Sequence, residues 1–288
     1  MKKPVKSPFK NYALNPARLP VPLAEFDLAK TLTREGSKNA FETKLEARNE
    51  DILRARQLGK SSLPKAKIFG AWLSNATQNK ALPLSPASSV YMREVRRRML
   101  SEVQRIFYAT CRHPREIYVF TIVHPKWFYQ EGTLRQCNPK KLKKRFLAYL
   151  ERAGVTAADG MLFAGLHGEF DGSGYQLHYH GVVIGTKALT LKNISGNYGF
   201  VTTENIYRPV QIPPLVDGPR QLSYLVQSFW PYKKRYLDVD GKPRRQRRKS
   251  RIPSAQHEKI LMWLAHQNLS DLIITNGIRL GKNGLVST

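Results

Sequence analysis

The chain has 288 residues, 41% of them hydrophobic and 10% aromatic, which is enough apolar material for a substantial core and excludes a disordered polypeptide. Forty-eight Lys and Arg against 21 Asp and Glu leave a net charge of +27, which calls for a polyanion, nucleic acid before an anionic membrane surface. No apolar run approaches the roughly 20 residues of a membrane span, and Cys111 and Cys137 are too few for a disulfide scaffold or a Cys-based zinc cluster. The basic start Met1–Lys6 leads into no apolar stretch, so no signal peptide is expected there, and the class implied is a soluble, intracellular and cytoplasmic protein without a membrane partner.

In chain order, residues 1 to about 35 are rich in Pro and Lys and read as an extended basic arm. A helix is expected over 37–57, opened by Ser37 and Phe41, and the Pro/Ser-rich stretch 82–86 reads as a linker. Val90–Tyr108 has the 3.6-residue period, with Met92, Val95, Met99, Val103 and Ile106 as its apolar stripe and Arg96, Arg97 and Arg98 on another side. Ile117–Val123 is β-branched and aromatic, a strand ended by His124-Pro125. Asn138-Pro139 opens a helix to Arg152 that buries Leu142, Phe146 and Leu150, exposes Lys140, Lys141, Lys143, Lys144 and Arg145, and closes at Gly154. Two strands follow, 161–170 and 175–184, joined by Asp171-Gly172-Ser173-Gly174 as a hairpin loop. Helices are expected over 218–230, stopped by Pro231, and over 253–267, with a small basic hairpin turning at Asp240-Gly241 between them. The fold class is therefore α+β: a central antiparallel sheet flanked by helices, with basic N- and C-terminal extensions. The expected organisation is an arm and helix over 1–88, a principal domain over 89–235, and a basic hairpin with a helical tail over 236–288.

Chemistry enters on the second hairpin strand, Leu177-His178-Tyr179-His180-Gly181. Alternation puts His178 and His180 on one face, close enough to converge on one cation. If 171–174 form the loop, Glu169 stands opposite Gln176 and His167 opposite His178, so both project to the histidine side; a one-residue slip would put Gly168 there instead. In that register His178, His180 and Glu169, with His167 beside them, make a half-open site for Mg2+ or Mn2+.

These residues resemble the HUH endonucleases, the replication initiators, relaxases and single-strand transposases of plasmids, phages and insertion elements. The likeness covers about residues 115 to 235 and rests on the apolar strand 119–123, the pair His178-Tyr179-His180, and Glu169 in the window of the third ligand. It implies a catalytic tyrosine on a following helix, typically as Tyr-x-x-Lys. Tyr224 falls at that distance, with Gln227 where the Lys would be, and Lys233 or Lys234 could replace the missing charge. On a helical wheel Leu222, Leu225, Val226, Phe229 and Trp230 share one arc, while Tyr224, Gln227, Gln221 and Ser228 face away. Tyr232 and Tyr236 are second candidates, as in two-tyrosine relatives, placed just after the Pro231 break. The implied reaction is DNA nicking and joining through a 5′-phosphotyrosine, of the kind that starts rolling-circle replication of a plasmid or phage.

From Lys233 to Arg251, ten of 19 residues are basic: Lys233, Lys234, Arg235, Lys242, Arg244, Arg245, Arg247, Arg248, Lys249 and Arg251. Aromatic residues lead into this run, a mixture suited to single-stranded or hairpin DNA. Arg93 with Arg96–Arg98, and Lys140–Arg145, suggest two further patches. His257 and His266 read as surface residues, His113 as a loop residue, and 253–267 as a C-terminal packing helix in preference to a helix-turn-helix with Leu269–Leu280. Gly59-Lys60-Ser61 ends like a phosphate loop, but Arg54 stands where its first Gly belongs, so unwinding would fall to a host helicase. Two other readings share these residues: a non-catalytic nucleic-acid-binding protein, which Gln227 favours, and a metal-dependent phosphoesterase that forms no covalent intermediate.

Overall fold

The computed structural model describes the chain except residues 1–2, 10–13, 23–29, 34–35, 40, 112–115, 205, 242, 247–249 and 282–283. His113, Arg247, Arg248 and Lys249 lie outside the described residues.

The hairpin predicted around residues 171–174 organises the sheet. Strand β1 is Ile117–Gln130, β2 Leu162–Phe170, β3 Gly174–Ile184, β4 Val210–Gln211, β5 Pro231–Tyr232, β6 Ser250–Arg251 and β7 Ile273–Asn276. Among the described residues these form a seven-stranded sheet ordered β6-β5-β2-β3-β1-β4, with β7 also paired to β2. The sheet is mixed and not wholly antiparallel, because β2 meets β5 in parallel at Phe170 and Tyr232. The register is the expected one: Phe170 opposite Tyr175, Glu169 opposite Gln176, His167 opposite His178. The Asp171 carboxylate fixes the loop by accepting from Ser173 N–H and Gly174 N–H at 2.9 and 3.1 Å, an Asx-type turn encoded by Asp-Gly-Ser-Gly itself.

Helices cover both faces. They are α1 Lys44–Gly59, α2 Pro64–Gln78, α3 Ser89–Thr110, α4 Pro139–Arg152, α5 Gly218–Leu222 and α6 Ser254–Ala265. Against one face, Leu142, Phe146 and Leu150 of α4 and Ile260 and Leu264 of α6 pack with Leu166, Leu177 and Tyr179; Leu58 and Phe69 of α1 and α2 join this core. Against the other, the predicted stripe Met92, Val95, Met99 and Val103 of α3 packs with Phe163, Val182 and Ile184. Strict alternation therefore leaves His167, Glu169, His178 and His180 on the α3 face, beyond the end of that helix-covered core.

Several expectations are corrected. The stretch 82–86 is not a linker: all five residues are buried, and Leu82–Leu84 pairs in parallel with Pro4–Lys6. The helix expected from Ser37 starts at Lys44, where Thr43 and Glu46 form a reciprocal capping box. Strand β1 does not end at His124-Pro125. It runs on to Gln130, with a register shift between Val123 and Phe128 that accommodates the proline lacking an N–H. Helix α2 is absent from the sequence reading, and Leu269–Leu280 forms a short helical turn and strands, one of them β7, instead of a second recognition helix. Arg93, Arg96 and Arg97 are no surface patch; they are 6%, 4% and 3% exposed, with Arg93 and Arg96 bonded to Glu42. The α4 cations do face solvent, apart from half-buried Lys143.

His257 is likewise buried, not a surface residue, and its Nδ1–H donates to Gln57 Oε1 at 2.9 Å. Burial, and then the nearby Arg54 charge, push its pKa down from 6.5 to about 3. The unfolded chain thus binds a proton that the folded imidazole refuses, so stability falls as pH drops through the interval from 6.5 to 3. We expect His257→Gln to remove part of this acid sensitivity, at most about 1.4 kcal/mol per pH unit, read as a shallower dependence of the urea midpoint on pH. An unchanged slope would contradict the buried neutral state. Among the described residues no helix is long and apolar enough to cross a membrane.

Candidate metal centre and tyrosine cleft

Three imidazoles meet on the α3 face of the hairpin. His167, His178 and His180 each offer one ligand atom, and these atoms all lie within 4.8 Å of one another. His178 Nε2 stands 3.1 Å from His167 Nδ1 and 3.0 Å from His180 Nε2. The outer ring nitrogens are engaged: His167 Nε2 with the Phe229 carbonyl at 2.9 Å, His178 Nδ1 with the Gln176 carbonyl at 3.3 Å, and His180 Nδ1 with Thr121 Oγ1 at 2.8 Å. The two carbonyls can only accept, so the outer nitrogens of His167 and His178 carry the protons and their inner lone pairs point at the common centre. Burial, reinforced by the neighbouring His180, pushes the His178 pKa down to about 3, so this ring is neutral and ligand-competent. Converging lone pairs at these spacings repel unless a cation lies among them. The donor set therefore fits a metal, with the separations that neighbouring ligands adopt at metal–nitrogen bonds of about 2.1 Å.

Glu169 lines the same cleft but is not one of this group. It is 6% exposed, and its Oε2 lies 2.5 Å from Lys233 Nζ. The sequence reading placed Glu169 ahead of His167 as third ligand; the geometry brings His167 inward. Both lie on the predicted face, and only the direction of each side chain separates them.

The cleft, of about 450 Å3, is lined by the three histidines, Glu169, Thr121, Gln176, Tyr207, Arg208, Gln211, Tyr224, Gln227 and Lys233 among others. Tyr224 thus opens into the same space as the histidines, with 41% of its surface exposed. It does not sit on the expected helix. Helix α5 stops at Leu222 after five residues, and Tyr224 occupies the following turn. The cause is tertiary. Val226 holds φ at +52°, a left-handed value uncommon for a β-branched residue. Arg96 donates to the carbonyls of Ser223 and Leu225, which a helix would have used, while Arg54, donating to that of Ser228, and His167, engaging that of Phe229, fix the end of the turn. Gly165 lets the turn lie flat on β2, since a Cβ there would stand 2.8 Å from Val226 N. The polarity split of the wheel survives without the helix: Leu222, Leu225, Val226 and Trp230 are buried, and Tyr224 is exposed. Ser228 departs from it, at 4% exposure.

The other tyrosines lie elsewhere. Tyr232 packs on Phe170, with ring centroids 5.6 Å apart, and Tyr236 is exposed on the strand Arg235–Leu237, which pairs with Pro243–Arg245 as the expected hairpin. Neither is among the lining residues. Of the basic run, Lys233 reaches the cleft and Lys234 accepts a backbone bond from Gln246. Arg235 pairs with buried Asp171, Arg244 with Asp238 at 2.8 Å, and Arg251 with Glu50 at 2.5 Å, so internal carboxylates hold part of the charge counted in the sequence. Tyr207, Arg208, Gln211 and Gln176 were missed in the sequence, where only the Tyr207-Arg208 pair carries a signal, an aromatic beside a cation. Comparison with known proteins gives no significant match to a family model, a curated protein or a solved structure.

Proposed function

We propose that this chain is a metal-dependent single-stranded DNA nicking and joining enzyme of the HUH kind, with Tyr224 as nucleophile. The observation that carries this reading is that Tyr224 and the converging His167, His178 and His180 line one cleft. A tyrosine hydroxyl with a pKa of about 10 is a weak nucleophile at neutral pH, so stabilisation of the phosphate charge must lower the barrier. A divalent ion bound by the three imidazoles would polarise the scissile phosphate. Imidazole donors suit Mn2+ better than Mg2+.

The protein's own groups do the rest. His167 and His178 are held in one tautomer by carbonyls, and Lys233 stands in the cleft paired with Glu169, where its charge reaches the phosphate only if that pair opens. The Tyr224 oxygen forms a bond to phosphorus as the bond to the 3′ oxygen breaks, and the tyrosine proton leaves with that 3′ hydroxyl. The phosphodiester bond count is conserved, so a second strand can reverse the step. Such chemistry suits initiation of rolling-circle replication in a plasmid or phage, with a host helicase to separate the strands. Gln227 favours a second reading, a nucleic-acid-binding protein without turnover.

The test is incubation with labelled single-stranded DNA from the origin region flanking the gene, with Mn2+, resolved on a denaturing protein gel. We expect a covalent adduct with wild type and none with Tyr224→Phe. An adduct that persists in Tyr224→Phe moves the nucleophile to Tyr232 or Tyr236. Cleavage without adduct indicates a hydrolase, and binding without cleavage the non-catalytic reading.

A further inference from the structure

The rim of the cleft carries an aromatic group that the chemistry above does not use. Tyr207 is 80% exposed although it lines the same cleft as the histidines. What sets this ring apart from other exposed side chains is its place on the wall of the histidine cleft. Its backbone is fixed. Thr203 and Ile206 exchange both backbone hydrogen bonds, at 3.0 and 3.2 Å, and Thr202 Oγ donates to the Tyr207 carbonyl. Two residues on, the Pro209 carbonyl accepts from Val123 N–H at 2.8 Å, and β4 pairs Gln211 with Thr121, the residue that bonds His180. The ring's backbone is therefore tied, through β4, to the strand whose Thr121 bonds His180.

Its surroundings are cationic. The Arg208 guanidinium lies 5.9 Å from the Tyr207 ring centroid and has no carboxylate partner among the described residues. Arg244, on the basic hairpin, is held by Asp238 at 2.8 Å and is not one of these cations. Lys233 lines the wall with Tyr207. An exposed ring with a guanidinium against it, on the wall of the histidine cleft, matches one ligand chemistry, a base displaced from a stack with its own phosphate beside it.

We propose that Tyr207 is a stacking platform for an unpaired nucleobase of single-stranded DNA, with Arg208 holding an adjacent phosphate. This deepens the strand-transfer reading and rests on it for the identity of the polymer. In a duplex both faces of each base are covered by neighbours, so the platform selects single strands and sets where along the strand the cleft engages, without reading base identity.

The test is metal-free equilibrium binding of the full chain to labelled oligothymidylate, to an abasic deoxyribose-phosphate strand of equal length, and to a duplex. Wild type should prefer oligothymidylate to the abasic strand by about tenfold, since stacking on one aromatic is worth about 1–3 kcal/mol. Tyr207→Ala should abolish that preference and leave duplex binding unchanged, and Tyr207→Phe should keep it. Arg208→Ala should weaken both single strands alike and flatten their salt dependence. Equal affinity of wild type for the two single strands, or a Tyr207→Ala loss equal on single strand and duplex, would overturn the platform. Because no cleavage is measured, a chain that forms no adduct but shows this preference keeps the platform and loses the strand-transfer reading, and the reverse pattern separates them the other way.

Discussion

Mn2+ binding should fall by more than a hundredfold in His178→Ala, with far-ultraviolet circular dichroism unchanged. The magnitude follows from rank. Outer partners of metal-bound imidazoles are worth about 10- to 100-fold in affinity, and a direct ligand is worth more. His178 is the middle member, its Nε2 within 3.1 Å of both other ligand nitrogens, so its loss leaves the group without its link. Thr121→Val, which removes only the 2.8 Å partner of His180, gives the graded comparison at about tenfold or more. Glu169→Gln separates the two ligand sets: a loss under about tenfold agrees with three imidazoles sufficing, whereas a loss equal to that of His178→Ala makes the carboxylate a ligand. Calorimetric titration measures all four proteins, and retention of wild-type affinity by His178→Ala would remove the metal centre altogether.

The second large effect concerns stability. Asp51→Ala should destabilise the chain by about 3–5 kcal/mol, the usual result of stripping one member from a buried charged network. Asp51 is fully buried in α1, and its carboxylate accepts from Ser88 Oγ–H at 2.7 Å, Ser89 N–H at 2.6 Å and Val90 N–H at 3.2 Å. It thus places carboxylate acceptors at the start of α3, on N–H groups that no helical carbonyl can reach and at the positive end of the dipole, against burial that pushes its pKa up. Ser88 is itself the N-cap, its Oγ accepting from Tyr91 N–H at 3.1 Å, so Ser88→Ala should cost only about 1 kcal/mol. Urea unfolding at pH 7 measures both. Equal costs for the two variants would mean that the carboxylate adds nothing to the cap.

The hairpin was legible because two signals agreed in sequence, period-two alternation and a loop of Asp, Gly and Ser whose four-residue length gives the register. The stripe of α3 was legible for the same reason at period 3.6, and both faces of α4 followed from Leu142, Phe146 and Leu150. What escaped reading was decided by distant partners. Nothing local shows that Arg96 is buried against carbonyls more than a hundred residues away, so a run of arginines looked like surface. Nothing local shows Val226 forced to a positive φ, so the amphipathic pattern over 218–230 has the form of a helix without becoming one. Charge counting likewise gave no hint that Asp171, Asp238 and Glu50 hold Arg235, Arg244 and Arg251. At the metal centre, the face was readable and the choice between Glu169 and His167 was not, because both sit on it.

The two halves of the cleft are built with very different reach along the chain, and this bears on how they can be inherited. The imidazole pair His167 and His178 is 11 residues apart, closed by one tight loop. The tyrosine turn depends on Arg96 at separations of 127 and 129 residues, and on Arg54 at 174. A short segment can carry the hairpin into a new context, but His167 and His180 would leave behind the Phe229 carbonyl and Thr121 that hold them, and Tyr224 the helical layer that pins its turn. Descendants that remodel α1 or α3 would disturb the Tyr224 turn directly and the imidazoles only through the Phe229 carbonyl that holds His167.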